Sequence, residues 1–489
     1  MAVGVNLPAG QTASAVFQSI LMGAAERFDA LAPYVEGLNK QNLADRLIPF
    51  EAARAAISSP GRVDAAALMA RLGAERLVYV LEDDVEVPLS EYMVAPADPL
   101  SLTARELGSA RGLTPRIHYD GKTFAGQEIR YLADDMARRN TITEAAHDGL
   151  SWVARQSALD LTGQKFAVLG AGAELAPTEI LLRAGATVLF IDLVSAEKFV
   201  ADRSIQSGTI VYAPQGANLL THPAEIAATI EAFAAGDAVH VGAYAYVGGK
   251  AMEWRLTGVM NAIIRSLDPS IVQSIGLYVS PTAPAQAQTE DVVTSLAGYS
   301  DPSFWDRAWK KMGVLKRNLH QHGETHWPRN IVSLQGASYL AAQYLEKRLA
   351  AEVFATRGIG TGEKQPITVS ANVAGITQTR SMQIPTFQAG FLGAPALGIE
   401  TYLPETTRWL SGLLYLEGIL DPEAVASAKH NPFEDENEKA RRMSSVQVHG
   451  AVYSHPYAIE GAIARAALIG LRKKPSLIPG FVGSLMGKK

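Results

Sequence analysis

Residues 166–193 constrain the fold more than any other part of the chain. They have the sequence FAVLGAGAELAPTEILLRAGATVLFIDL, in which an apolar run of strand type ends at a glycine. A helical pattern then continues to Arg183, and a second apolar run closes on Asp192. Strand, glycine-rich turn, helix and strand in this order predict a βαβ unit of a parallel sheet.

The same segment predicts a nucleotide site. Gly170 and Gly172 directly follow the first strand, and glycines let a backbone turn tightly and approach a pyrophosphate. The N-terminus of the next helix offers N–H groups and partial positive charge to phosphates, and an acid at Asp192 can bond the ribose hydroxyls of NAD. Leu175 occupies the third glycine position of the G-x-G-x-x-G pattern. The sequence therefore predicts dinucleotide binding, with NAD(H) favoured over NADP(H) because Asp192 would repel a 2′-phosphate. There are two alternatives to dinucleotide binding: the sheet no longer binds a nucleotide, or the same crevice binds another ligand.

Strand and helix patterns continue to alternate after this unit. Strands are predicted at 209–212, 238–241, 271–279 and 367–373, and helices at 223–233, 252–267 and 337–354. Right-handed crossovers make a doubly wound parallel sheet of the Rossmann type the expected fold for residues 161–382. We expect an additional α/β domain of unknown role at 1–160 and a mostly helical extension at 383–489. The polar insertion at 286–330 is expected to overhang the active-site mouth.

Composition excludes several classes of protein. The chain is 48% hydrophobic and 19% charged, a composition that excludes wholesale disorder. Its length of 489 residues suggests two to four domains. The net charge of −5, without a basic stripe, predicts no nucleic-acid partner. The absence of cysteine excludes disulfides, thiolate nucleophiles and cysteine-bound metals. It fits a reducing compartment, and we expect a cytoplasmic location.

No apolar stretch of the sequence is long enough to predict a membrane span. The C-terminal tail carries Arg472, Lys473 and Lys474 between two apolar segments. This pattern has two interpretations: an interfacial membrane anchor, or a tail docked on a neighbouring domain or subunit, which we favour. The insertion holds His320, His322 and His326 with Glu324, but their spacing matches no zinc motif, and we assign no metal site.

Residues 163–382 resemble the short-chain dehydrogenase/reductase superfamily. The family's T-G-x-x-x-G-x-G motif corresponds to residues 169–176, LGAGAELA, of which only the first glycine matches. The family's fourth strand and its N-N-A-G motif correspond to residues 237–244, DAVHVGAY. ITVSANVAGITQT at 367–379 is similar to the sixth strand and its P-G-x-x-x-T ending, with Ala374 in place of proline. The resemblance implies an NAD(P)-dependent oxidoreductase that acts on a small-molecule substrate and forms a homo-oligomer. The cofactor contacts it implies, together with the glycine motif, are Gly170, Ala171, Gly172, Glu174, Leu175, Asp192, Leu193, Gly242, Gly375 and Thr379.

The catalytic tyrosine of that family is followed by a lysine four residues later, which no tyrosine of the predicted helix matches. Tyr339 is followed by Gln343, whereas Tyr344 is followed by Lys347 at three residues and Arg348 at four. Both spacings place side chains on one helix face, so Tyr344 with either cation is one candidate. Counting back from the sixth strand favours Tyr339 instead, and both candidates stay open.

The family's catalytic serine implies Ser280 or Thr282, at the end of the fifth strand. The leading hypothesis is hydride transfer between NAD(H) and a carbonyl or alcohol carbon, with an acyl thioester as one substrate class that the insertion and extension would accommodate. The alternative is a Rossmann-type protein that binds nucleotide without hydride transfer. A third, weaker hypothesis is an isomerase, dehydratase or lyase that recycles its NAD.

Overall fold

The structure is a computed structural model that describes residues 2–110, 112–249, 251–360, 367–427 and 435–485. The strands among them are β1 (Gly4–Asn6), β2 (Val78–Val80), β3 (Glu86–Pro88), β4 (Thr103–Ser109), β5 (Arg116–Tyr119), β6 (Lys122–Ala125), β7 (Lys165–Leu169), β8 (Thr187–Ile191), β9 (Ser207–Tyr212), β10 (Val239–Ala243), β11 (Val272–Val279), β12 (Leu319–His322), β13 (Thr325–Pro328) and β14 (Thr368–Val373).

The α-helices of the described residues are α1 (Ala13–Ala25), α2 (Ala32–Val35), α3 (Leu43–Ala55), α4 (Gly61–Glu75), α5 (Leu89–Met93), α6 (Gln127–Arg138), α7 (Glu144–Ala154), α8 (Thr178–Arg183), α9 (Ala196–Arg203), α10 (Pro223–Ala234), α11 (Met252–Ser266), α12 (Thr289–Ser300), α13 (Phe304–Lys311), α14 (Gly336–Ala341), α15 (Ala350–Arg357), α16 (Pro385–Gly393), α17 (Pro404–Leu420), α18 (Glu436–Met443), α19 (Ile459–Lys473) and α20 (Ile478–Leu485). A π-helical segment, Ala342–Leu349, joins α14 to α15.

A seven-stranded sheet forms the centre of the molecule, in the order β14-β11-β10-β7-β8-β9-β4. All neighbouring strands are parallel except β9 and β4, which are antiparallel. Numbered along the chain, the six parallel strands have the order 3-2-1-4-5-6 of a doubly wound sheet. The predicted α/β class with a mostly parallel sheet is therefore confirmed, and the architecture is compatible with a Rossmann-like fold.

Helices cover both faces of the sheet, as buried parallel strands require. One core combines the sheet with apolar residues of α10, α11 and α15, and the other combines it with apolar residues of α7, α8, α9 and α17. The runs that predicted β7 and β8 are almost entirely buried, because both of their faces are covered. This double cover explains why these strands are continuous apolar runs instead of alternating ones.

The first 160 residues are interwoven with the rest of the chain. β1, β2 and β3 form a small antiparallel sheet of their own, whereas β4 is the edge strand of the central sheet. Helices α1, α3 and α4 share a third core with Trp254, Trp327 and the π-helical segment. The boundary at residue 160 stays a prediction.

The polar insertion at 286–330 is more regular than we predicted. It contains α12, α13 and the hairpin β12–β13, whose turn includes Gly323 with φ of +55°. His320, His322 and His326 lie on this hairpin. The hairpin is only partly buried, so its exposed positions can carry polar side chains. Among the described residues, no group of three or more histidine, aspartate or glutamate side chains is arranged to hold a metal ion.

The described part of the C-terminal extension contains helices α16 to α20, with a non-helical stretch at residues 444–458. α16 and α19 pack backbone to backbone, since a Cβ at Gly393 or Gly470 would overlap the facing helix. Leu477, in the tail, shares a small core with Ala389 and Ala467. No helix in the described ranges combines the length and the apolar character that crossing a membrane requires.

Candidate functional site

The loop after β7 lies against the chain after β10, where the strand order reverses. Gly170 has φ of +80°, and a Cβ at this position would overlap the backbone of Ala245. Glycine is therefore required here twice, for its positive φ and for the close approach of two backbones. The first glycine of the motif thus fixes how these two loops meet.

Replacing Gly170 with alanine is expected to lower the free energy of unfolding by roughly 3 kcal/mol or more, from a strained φ and a steric overlap together. Gly121→Ala is the matched control, since Gly121 has φ of +72° but no atom within 4 Å of its Cβ position. The control should lose only the backbone part, about 1–2 kcal/mol. Urea denaturation of both variants measures the difference, and equal losses would contradict the close approach.

Most N–H groups of the glycine loop are already hydrogen-bonded within the protein. Gly170 and Ala171 donate to the carbonyl of Ile191 at 2.8 and 3.3 Å, and Ala173 donates to Gly170 at 3.0 Å. Gly172 donates to Oδ2 of Asp192 at 2.9 Å. In the described chain, the N–H groups of residues 174 and 175 are the ones left without an acceptor in this stretch.

The predicted helix N-terminus at the glycines is wrong. α8 begins only at Thr178, after a series of turns and Pro177, and it is six residues long. The hydroxyl of Thr178 donates to the carbonyl of Ala171 at 2.7 Å, which holds these turns in place. The helix therefore starts too late to direct its free N–H groups at a ligand beside Gly172.

Asp192 follows β8, as predicted, and its carboxylate faces the glycine loop. Besides the bond from Gly172, its Oδ1 accepts the N–H of Val194 at 3.0 Å. The side chain is half-buried, and each carboxylate oxygen can accept a further hydrogen bond. Leu193 beside it is 69% exposed, so this edge offers an acid and an apolar surface together.

The segment after β14 reaches the same loop. The N–H of Arg380 donates to Glu174 Oε2 at 3.1 Å, and its guanidinium lies 3.4 Å from Oε1. Arg408 donates to the carbonyl of Glu174 at 3.1 Å. The structure thus brings the loop of Gly170–Leu175 together with Asp192 and with the segment that contains Thr379.

Gly242 and Gly375 are required to be glycine because of side-chain packing, and not because of a positive φ as at Gly170. Gly242 lies inside β10, where a Cβ would be 2.5 Å from the ring of Tyr244. A Cβ at Gly375 would overlap the ring of Tyr402. Both glycines make room for tyrosine rings, a packing role that the resemblance did not suggest.

A polar group assembles at the end of β11. The hydroxyls of Ser280 and Thr282 are 2.8 Å apart, and Thr282 donates to Gln335 Oε1 at 2.9 Å. The N–H of Ser280 donates to Gln343 Oε1 at 2.9 Å. These contacts join the end of the fifth parallel strand to the helix that begins at Gly336.

Tyr339 points its hydroxyl at this group. Burial raises the pKa of Tyr339, hydrogen bonding with Ser280, Thr282 and Gln335 lowers it, and the charge of Glu253 raises it again, with burial dominating. The Tyr339 ring also meets Tyr246, which follows β10, edge to face at 6.3 Å. The tyrosine therefore lies between the ends of the fourth and fifth parallel strands.

Lys347 is on the same side of the helix. Its Nζ donates to the carbonyl of Tyr278 at 2.9 Å, and burial lowers its pKa to about 8. An α-helix with 3.6 residues per turn would rotate Lys347 away from Tyr339 over eight residues. The wider turns of the π-helical segment keep Tyr339, Gln343 and Lys347 facing residues 278–282.

The structure does not bring Tyr344 and Arg348 into this group. The hydroxyl of Tyr344 donates to Glu51 Oε2 at 2.6 Å, inside the core shared with the N-terminal helices. Arg348 is buried close to the charges of Glu51 and Glu352. Of the two tyrosines left open by the sequence, Tyr339 is the one that lies against Ser280 and Thr282.

Sequence reasoning missed four residues of the group: Gln335, Gln343, Tyr246 and Glu253. Gln343 had a signal, since it stands four residues after Tyr339 where the family has lysine. Glu253 belongs to α11 and comes close only through tertiary packing, where its Oε2 accepts the hydroxyl of Ser338 at 3.0 Å. No local pattern could have identified it.

No protein-family model matches the chain, and no curated protein matches its sequence.

Proposed function

We propose that this protein is an NAD(H)-dependent oxidoreductase that acts on a carbonyl or alcohol group of a small molecule. The observation that carries the proposal is the meeting of Tyr339 with Ser280 and Thr282 at the carboxyl end of the fifth parallel strand. Open α/β sheets bind ligands outside the carboxyl ends of their strands, where the strand order reverses. The resemblance to short-chain dehydrogenases supports the same assignment.

The residues at the switch point fit a dinucleotide. Asp192 retains acceptor capacity for ribose hydroxyls, and Leu193 offers an exposed apolar side chain beside it. The pyrophosphate would depend on Arg380 and Arg408 more than on the glycine loop, since most loop N–H groups are already bonded. Asp192 also disfavours a 2′-phosphate, which supports NAD(H) over NADP(H).

Bound NADH would supply the hydride, and the side chains of the site would handle the proton. The phenol of Tyr339 is protonated at neutral pH, and burial raises its pKa further, so its donation of a proton to a carbonyl oxygen depends on stabilisation of the phenolate that is left. The hydroxyls of Ser280 and Thr282 would orient that oxygen and then stabilise the phenolate of Tyr339. These properties favour the reductive direction.

The second candidate is a protein that binds nucleotide without hydride transfer. Gln343 favours it, because this side chain occupies the family's lysine position and is neutral, with its Oε1 engaged by Ser280 N–H. Both candidate functions predict nucleotide binding, but only the oxidoreductase predicts turnover of NADH. NADH oxidation in the presence of an acetoacetyl thioester and a panel of ketones and aldehydes separates them, since only the oxidoreductase consumes NADH.

Asp192→Ala is expected to weaken NADH binding about 10- to 100-fold, through loss of charge-assisted hydrogen bonds. Calorimetric titration of wild type and variant with NADH and NADPH measures it, with the exposed Asp202→Ala as the matched surface control. A relative gain for NADPH in the variant would support the role of the acid. If folded wild type binds neither nucleotide, the proposed function is wrong.

A further inference from the structure

A cavity of about 470 Å³ lies between α7, the C-terminal end of α17 and the start of α12. The described residues that line it do not include Ser280, Thr282 or Tyr339. Its volume is within the range of roughly 300–1,000 Å³ that is typical of small-molecule sites. The proposed oxidoreductase chemistry makes no use of this cavity.

The lining of the cavity is strongly acidic. Among the described lining residues, two guanidinium groups, those of Arg155 and Arg442, oppose six carboxyl groups. The carboxylates are those of Glu144, Asp148, Glu290, Glu417, Asp421 and Glu423. Such an excess of one charge in a concave surface concentrates ligands of the opposite charge.

Glu417 distinguishes this cavity from an ordinary solvated acidic surface. It lines the cavity and is only 7% exposed, yet its carboxyl group makes no hydrogen bond or ion pair with any described residue. Gly149 of α7 lies against it, since a Cβ there would be in ordinary contact with the Glu417 carboxyl at 3.4 Å, whereas it would overlap the side chain of Leu414 at 2.8 Å. Buried polar groups in proteins are normally hydrogen-bonded and buried charges are paired, so this carboxyl group faces the cavity without a partner that the described residues supply.

The electrostatics of Glu417 point to a cation as that partner. Burial raises its pKa to about 8, and repulsion from Asp421 and Asp148 contributes to the rise. Glu417 also lies in the last turn of α17, where the helix dipole favours positive charge. A bound cation would relieve all three effects together.

The cation that fits is organic. No described group of three or more acidic or histidine side chains is arranged to hold a metal ion, and the cavity is far larger than one. The carboxylates are spread over several segments, which suits a chain with separated charges. Trp152 adds an aromatic wall of the kind that attracts alkylammonium groups.

We propose that this cavity is a binding site for a linear organic polyamine, with one ammonium group paired to Glu417 and another held by the outer carboxylates Glu144 and Glu290. Binding converts Glu417 from its protonated to its ionised form. The site therefore releases about one proton per polyamine at neutral pH, and affinity rises by up to about tenfold per pH unit below pH 8. The Nδ1 of His147 lies 3.2 Å from Oδ1 of Asp148, which lines the cavity. His147 is therefore a second titratable side chain to consider when the pH dependence of binding is interpreted.

Calorimetric titration of the full chain with spermidine, in two buffers of different ionisation enthalpy, tests the proposal. Wild type should bind with release of about one proton. Glu417→Gln keeps the shape and removes the charge, so binding should weaken about 10- to 100-fold and proton release should disappear. Glu405→Gln, exposed on the same helix and outside the cavity, is the matched control and should behave as wild type.

Three results would overturn the proposal: no spermidine binding to wild type, equal binding by Glu417→Gln, or a site that takes Mg²⁺ in preference to spermidine. Circular dichroism establishes that the variant is folded. If it is not, the double variant Glu144→Gln, Glu290→Gln at the cavity mouth tests the site instead: it should weaken spermidine binding, and unchanged binding would overturn the proposal.

Discussion

Replacing Glu352 with glutamine is expected to lower the free energy of unfolding by about 3–5 kcal/mol. Glu352 is 1% exposed and accepts paired bonds from Arg54, at 3.0 and 3.0 Å, and from Arg62, at 2.9 and 3.2 Å. Glu51 bonds Arg54 from the other side at 2.7 and 2.8 Å. Without the charge of Glu352, the buried guanidinium groups of Arg54 and Arg62 are left with the single carboxylate of Glu51. The uncompensated positive charge lowers the stability of the folded state.

The effect should depend on pH in a defined direction. The two arginines hold the pKa of Glu352 well below its ordinary value of 4.5. A carboxylate with a depressed pKa stabilises the folded state above the ordinary value, and this stabilisation is lost as the pH falls from there toward the folded pKa. The difference between wild type and variant is thus full at neutral pH and shrinks below about pH 4.5.

The exposed pair Arg71–Glu75 supplies the control. Its atoms are 2.6 Å apart, but the side chains are 62% and 48% exposed. Glu75→Gln should cost less than about 0.5 kcal/mol. Urea denaturation of both variants at pH 7 and pH 4 measures the contrast, and equal losses in the two would show that the buried network does not stabilise this fold.

Replacing Tyr339 with phenylalanine is expected to reduce NADH-dependent turnover about 10²- to 10⁴-fold, the usual contribution of general acid catalysis. The ring remains, so its edge-to-face contact with Tyr246 and the packing of the helix are kept. NADH binding and the melting temperature should therefore stay close to those of wild type. The loss would appear in kcat more than in KM.

Tyr344→Phe is the matched comparison. It removes the 2.6 Å bond to Glu51 and should cost about 1–2 kcal/mol of stability, with little effect on turnover of the folded enzyme. The two variants thus separate a reacting hydroxyl from a structural one on the same helix. Unchanged turnover in Tyr339→Phe, or a larger loss in Tyr344→Phe, would remove Tyr339 from the proposed role.

The limits of sequence reasoning are clearest at the glycine loop. Gly170 and Asp192 lie where the motif predicts, because both follow directly from the ends of buried strands. The helix after them begins late, because Pro177 and the hydroxyl of Thr178 stabilise turns that the helical pattern conceals. Gly242 and Gly375 resemble loop glycines, yet tyrosine rings from elsewhere in the fold explain them.

The sequence by itself determined the six parallel strands, but among the helices that connect them it did not predict α9 (Ala196–Arg203) and it placed the start of α8 too early. Apolar runs and helical spacing are local properties, so β8 (Thr187–Ile191) begins and ends where the pattern predicts. Only the tertiary structure shows that Tyr339 meets Ser280 whereas Tyr344 bonds Glu51, because one helix presents both tyrosines and these partners are far away in sequence. The unpaired carboxylate of Glu417 is likewise invisible in sequence, since burial and the lack of a partner are properties of packing and not of neighbours along the chain.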